Sequence, residues 1–117
     1  MKISEMKKLL DAEVLCCEEN IEKEVFSACG CDLMSDVLAY VKDQAVLLTG
    51  LVNPQVIRTA EMMDMICIVF VRSKTPTDAM LALARETGIV IMQCDKRLYE
   101  ACGLLYSNGL KGNKVKS

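Results

Sequence analysis

The chain has 117 residues, with 14 basic and 16 acidic side chains and a formal net charge of −2, which suits one domain built around one core. Its acidic residues are scattered and no basic stripe is interleaved with aromatics, which argues against nucleic acid as a partner. No segment approaches the roughly 18 apolar residues needed to span a bilayer, and Met1-Lys2-Ile3-Ser4-Glu5 lacks the pattern of a signal peptide, so no membrane partner is expected.

A first helix is predicted over 5–10, with Ile3, Met6 and Leu10 on one side and Ser4 as N-cap. Two short strands are predicted at 13–17 and 25–31, separated by the polar turn Glu18-Glu19-Asn20. Asp32 is placed to cap a helix running to about Val41, with Leu33, Val37 and Val41 facing inward. The apolar run 45–49 follows, then Gly50 and Asn53-Pro54, an N-cap with Pro at the first helical position. That helix runs to about Met63, and 65–71 is a second apolar run. Thr75-Pro76 repeats the cap-plus-Pro signal, opening a helix that reaches Glu86 before Gly88. The third run is 89–92, and Asp95 is predicted to open a helix carrying Leu98, Ala101, Cys102 and Leu105 at i, i+3, i+4, i+7.

Three consecutive strand–helix units with continuously apolar strands are the pattern of strands buried on both faces. They connect through right-handed crossovers, so the expected fold is a single α/β domain over 1–108 with a mainly parallel sheet flanked by helices. Residues 109–117, with Lys111, Lys114 and Lys116, read as a flexible tail.

Histidine is absent, which removes the commonest general base and the commonest metal ligand. There is neither a G-x-x-x-x-G-K-[ST] nor a G-x-G-x-x-G. The expectation is therefore a binding or regulatory protein and not an enzyme, with no cofactor. The seven cysteines are expected as thiols in a cytoplasmic protein. Cys16-Cys17 and Cys29–Cys31 lack the C-x-x-C spacing of a metal site, and core cysteine is the favoured reading, so no metal is expected. As strand residues, Cys16 and Cys17 would point to opposite faces. Asp32 and Asp36, four apart, suit a cap with first-turn acids, or a hard cation.

In open α/β sheets ligands bind where the parallel strands end, and helix N-termini offer amides to anions. The candidate ligand-binding residues on that edge are Thr49, Gly50, Asn53, Arg72, Ser73, Lys74, Thr75 and Asp95. Asn53, Thr75 and Asp95 have an alternative reading as N-caps, and Arg72 and Lys74 as solvated loop charges. A small anion, such as a nucleotide or a phosphorylated metabolite, is the ligand class this edge suits. A second reading is a dimerisation or protein-interaction module with no small ligand. Its surface would be Met62, Met63, Met65 and Leu51-Val52, in a homodimer or higher homo-oligomer.

The strand Cys67-Ile68-Val69-Phe70-Val71, then Arg72 and a Pro-opened helix, resembles a known pattern. So do Glu86-Thr87-Gly88-Ile89-Val90-Ile91, Tyr99-Glu100, the opening Met1-Lys2-Ile3-Ser4 and the stretch Cys31-Asp32-Leu33-Met34-Ser35-Asp36-Val37. Together they resemble the DRTGG domain, which is similar to the N-terminal domain of HPr kinase/phosphorylase. The resemblance implies a regulatory α/β module, often dimeric, without the P-loop half that carries kinase activity. Where the family has Thr-Gly-Gly or Arg-Gly after the strand, this chain has Arg72-Ser73, and a Thr before the last Tyr-Glu pair is Leu98 here.

Overall fold

The computed structural model describes residues 1–40 and 44–111. The chain runs α1 (Ile3–Leu10), β1 (Glu13–Cys16), a 3₁₀ turn (Glu18–Asn20), β2 (Ser27–Gly30), α2 (Met34–Tyr40), β3 (Ala45–Thr49), α3 (Pro54–Met62), β4 (Cys67–Phe70), α4 (Asp78–Thr87), β5 (Val90–Gln93) and α5 (Leu98–Ser107). The sheet order is β1-β5-β4-β3-β2. β2 to β5 pair in parallel, and β1 joins β5 antiparallel with a bulge between Val14 and Cys16. The expected α/β domain with a mainly parallel sheet flanked by helices is therefore the one observed.

Each parallel strand lies beside the one that follows it in sequence, so the three crossovers all step in the same direction across the sheet. Right-handed crossovers that step one way put their helices on one face. α2, α3 and α4 form that layer, α3 packing against both α2 and α4, while α1 and α5 pack together on the other face. The strands between the layers are fully buried: Val46, Leu47, Leu48, Ile68, Val69, Phe70, Val90 and Ile91 are inaccessible to solvent. The core extends to Leu110, whose amide returns to the Leu105 carbonyl at the end of α5.

The local signals held where one side chain completes a turn. Asn53 Oδ1 accepts from Gln55 N at 2.8 Å and Pro54 opens α3. Gly88 ends α4 at φ 76°, left-handed backbone that favours glycine. They failed where another bond claims the backbone first. Ile3 N and Ser4 N donate to the carbonyls of Lys23 and Ile21, so α1 starts at Ile3, and Glu5 answers Lys2 N while Ser4 lies inside the first turn. α4 starts at Asp78 because the Thr77 hydroxyl accepts from Met80 N at 3.2 Å; Pro76 is buried ahead of the helix and Thr75 is not its cap. α5 starts at Leu98, not Asp95, because the carbonyls of Cys94 and Lys96 accept from Ser73 N and Arg72 N.

Other expectations shift similarly. α2 begins at Met34, so Asp32 stands outside it, and Met34 and Val37 face the core while Leu33 is 57% exposed; Val41 lies outside the described residues. Cys17 takes φ 61°, which turns its sulfur to within 3.7 Å of Cys16 Sγ instead of to the opposite face. Burial pushes the Cys17 and Cys29 thiols up to about 11, and drives the wholly buried Cys67 thiol higher still.

Candidate functional site

Because β2 to β5 are parallel, their C-terminal ends deliver four loops to one edge of the sheet. Asp32, on the loop after β2, ties three of them together. Its Oδ1 accepts from the buried Thr49 hydroxyl at 2.8 Å and from Gly50 N at 2.8 Å, both at the end of β3. Its Oδ2 lies 3.9 Å from Nη2 of Arg72, just beyond β4. Chiefly the Gly50 amide, then the Thr49 hydroxyl and the Arg72 charge, hold this carboxyl below its usual range, against an opposing effect of burial.

Arg72 and Ser73 both have left-handed backbone, at φ 57° and φ 55°. Left-handed conformation costs a non-glycine residue about 1 kcal/mol or more. Two bonds hold it: Arg72 N to Lys96 O and Ser73 N to Cys94 O, each 2.8 Å. Gln93 completes the brace, its side-chain amide reaching Ser73 O, Lys74 O and Thr75 Oγ1 at 3.3, 2.9 and 2.9 Å. The loop that carries Arg72 is therefore laid against the loop before α5 and fixed there.

The expected residues divide into two groups. Thr49, Gly50 and Arg72 come together around Asp32, with Ser73 next to Arg72 on the same loop, but several are already occupied by the fold. The Thr49 hydroxyl also accepts from Leu51 N at 3.1 Å, and the amides of Gly50, Arg72 and Ser73 are all donated within the protein. Asn53 is spent as the cap of α3. Thr75 serves Gln93, and Lys74 N bonds Val71 O, which leaves the exposed Lys74 ammonium at the rim. Asp95 is an exposed bend residue that caps nothing. Backbone amides thus supply little for a ligand around residues 72–75.

What the edge does present is the Arg72 guanidinium. Its side chain is 48% exposed, and its partner sits at the outer limit of an ion pair. A surface pair of this kind contributes only about 0–1 kcal/mol, so a stronger anion can recruit the guanidinium from it. Gly50 makes room: a Cβ there would collide with Arg72 Nη2 and lie 3.0 Å from Cζ. Lys96 and Arg97 stand on the adjoining loop, and α5 begins after Arg97 with no side-chain cap. Asp78 and Glu100 stand in the first turns of α4 and α5, where they answer the dipoles of those helices.

Asp32 and Gln93 are the residues that sequence reasoning missed as parts of this site. Asp32 was visible only as a cap or half of a carboxylate pair with Asp36, a pairing the start of α2 at Met34 rules out. Its long-range partners left no local signal. Among the described residues, no three Cys, Asp or Glu side chains gather as a metal-binding group. A larger cavity of about 780 Å³ lies at the opposite edge, lined by Phe26, Gln44, Glu61, Asp64, Ile66 and Ile89. Its charged groups are acidic, the wrong sign for an anion.

No protein-family model matches the chain. No curated protein matches it either. Among solved structures, the fold is similar to that of the CBS and DRTGG domains of the regulatory region of Clostridium perfringens pyrophosphatase, in complex with its activator diadenosine tetraphosphate. The TM-score is 0.73 at 14% identity, over 89% of this chain and 45% of that one, so this chain spans less than half the length of that structure. At that identity the likeness is one of fold.

Proposed function

We propose that this chain is a non-catalytic regulatory module of the DRTGG type that binds a small anionic ligand, a nucleotide or phosphorylated metabolite, at the C-terminal edge of its sheet. It acts in the cytoplasm as a homo-oligomer. The observation that carries the reading is the Arg72 guanidinium, braced by Asp32, Gly50 and the 94–97 loop yet half-exposed and loosely paired. Arginine in a fixed backbone is suited to bidentate recognition of phosphate. The fold supports the reading, since the similar pyrophosphatase regulatory region takes a nucleotide activator. The absence of histidine, and of a P-loop, supports a binding role over catalysis.

A thermal-shift panel tests this with ATP, AMP, diadenosine tetraphosphate, a sugar phosphate and acetyl phosphate. A ligand at a hundred times its dissociation constant adds about 2.7 kcal/mol, a shift of several degrees. At least one probe is expected to raise the melting temperature of the native chain and fail to raise that of Arg72→Ala. A flat panel, or equal shifts in both proteins, refutes the site.

A further inference from the structure

Among the described residues six large apolar or aromatic side chains are exposed, and they are not scattered evenly. The methionine and Leu51-Val52 surface expected from the sequence is mostly absent: Met65 is in the core, Met63, Leu51 and Val52 pack against it, and only Met62 stands out. Phe26, Leu33 and Leu38 flank β2 in sequence, and Tyr99 and Tyr106 project from α5 at 93% and 57% exposure. α5 packs on α1 and against β3. Toward β2 it leaves a groove of about 490 Å³, floored by Ala28, Gly30 and Leu48 and walled by Tyr99, Cys102 and Tyr106. The sheet face that carries α1 and α5 has two helices for five strands, against three on the other face; over the edge strand β2, Cys102 and Leu98 of α5 reach Gly30, and the groove lies beside them along Ala28.

The α5 sequence says what covers it. Ala101 and Leu105 are buried inward, while Tyr99, Cys102, Gly103 and Tyr106 form a second stripe at i, i+3, i+4, i+7. Of its ten residues only Glu100 is charged, and a helix apolar on both sides belongs in an interior. The two tyrosines stand symmetrically about a centre between Cys102 and Gly103, in Tyr-x-x-Cys-Gly-x-x-Tyr. Two copies of α5 crossing antiparallel at that centre would lay each tyrosine over the other copy's opposite end, the self-complementary contact of a two-fold interface. Gly103 sits at the crossing, and a Cβ there meets nothing within the chain. The antiparallel arrangement also brings Glu100 of one copy toward the end at which the other copy's Lys111 lies over the Tyr106 ring. The two tyrosines offer roughly 300 Å² of the about 800 Å² per partner of a standard interface, with the groove and the β2 edge beside them to supply more.

We propose that the groove between α5 and β2 is the dimer interface, occupied by α5 of a second copy of this chain. This names the surface of the homo-oligomer proposed above and is independent of the anion site. Sedimentation velocity across the micromolar range tests it. The native chain is expected at twice its 13.0 kDa mass. Gly103→Leu replaces a helix-weakening residue at an open position, so its circular dichroism is expected unchanged, while its dimer dissociation constant rises about tenfold or more. Tyr99→Glu with Tyr106→Glu is expected to give a folded monomer, and Met62→Glu, on α3, a native dimer. A native chain that stays monomeric overturns the proposal and leaves the stripe to a different partner. So does a dimer that survives both α5 variants. Arg72→Ala is expected to leave the mass unchanged, so loss of ligand binding there does not bear on this interface.

Discussion

Asp32 is the side chain on which the edge of the sheet depends, and Asp32→Ala measures that dependence. The substitution removes the acceptor of two buried donors, the Thr49 hydroxyl and the Gly50 amide. A buried donor left unsatisfied costs about 1–3 kcal/mol. Asp32 is itself half-exposed, so water can enter where the carboxylate stood, which puts the sum near the lower end, about 2–3 kcal/mol. For a domain of this size that is a fall of roughly 8–12 °C in melting temperature. Asp32→Asn keeps one oxygen acceptor and loses the charge, and is expected at about 1 kcal/mol. The pH dependence follows from the lowered carboxyl of Asp32. A group whose folded pKa lies below its unfolded value of about 3.9 stabilises fully above that value, and the contribution is lost as pH falls through the folded pKa. The gap between native protein and Asp32→Asn in urea melts is therefore expected to be constant near neutrality and to close below about pH 4. A loss under about 0.5 kcal/mol for Asp32→Ala, or a gap that does not narrow in acid, would show that the carboxylate does not hold the edge together.

Gly50→Ala forces the Arg72 guanidinium to move, and since that is the mobile end of a half-exposed chain, stability is expected to change by less than about 1 kcal/mol while anion binding weakens; titration calorimetry beside a urea melt separates the two. Ser73→Gly relieves left-handed backbone at φ 55° and is expected to raise stability by up to about 1 kcal/mol, read as a higher urea midpoint at unchanged slope. Thr59 Oγ1 is buried without a hydrogen-bond partner, so Thr59→Val is expected to stabilise by about 1 kcal/mol, and a lower melting temperature would reveal a partner for that hydroxyl. At pH 8 the Cys17, Cys29 and Cys67 thiols are expected to resist a thiol reagent in the folded protein, because burial keeps them protonated, with all seven cysteines reacting after denaturation.

The sequence patterns that carried through to the structure are those whose physics is local or averaged over many residues. Apolar runs at 45–49, 65–71 and 89–92 became β3, β4 and β5 because strands buried on both faces are built almost wholly of apolar side chains, with the buried Thr49 at the end of β3 satisfied by Asp32. Asn53-Pro54 and Gly88 marked helix ends within a single turn of backbone. Asp95 and Thr75 misled because distant partners claimed their surroundings: the carbonyls of Cys94 and Lys96, on either side of Asp95, accept from Ser73 N and Arg72 N, and the Thr75 hydroxyl accepts from the Gln93 amide. The site suffered most from this blindness. Arg72 was legible as a charge beside a strand end, whereas the carboxylate that braces it lies 40 residues earlier, and only the parallel register of β2, β3 and β4 brings the two together. On α5 the sequence reading took only the stripe Leu98, Ala101, Cys102 and Leu105, and the second stripe through Tyr99 and Tyr106 came into view only with the fold, which leaves both tyrosines exposed.

The ligand site is tested most directly by isothermal titration of diadenosine tetraphosphate, and of ATP, into the native chain and Arg72→Ala. Saturable binding to the native chain is expected, with a dissociation constant raised by about tenfold or more in Arg72→Ala, the loss of a charged hydrogen bond worth about 1.5–3 kcal/mol. The variant's urea midpoint should stay within about 0.5 kcal/mol of native. Equal affinity in the two proteins, or binding lost together with a large part of the stability, would contradict it.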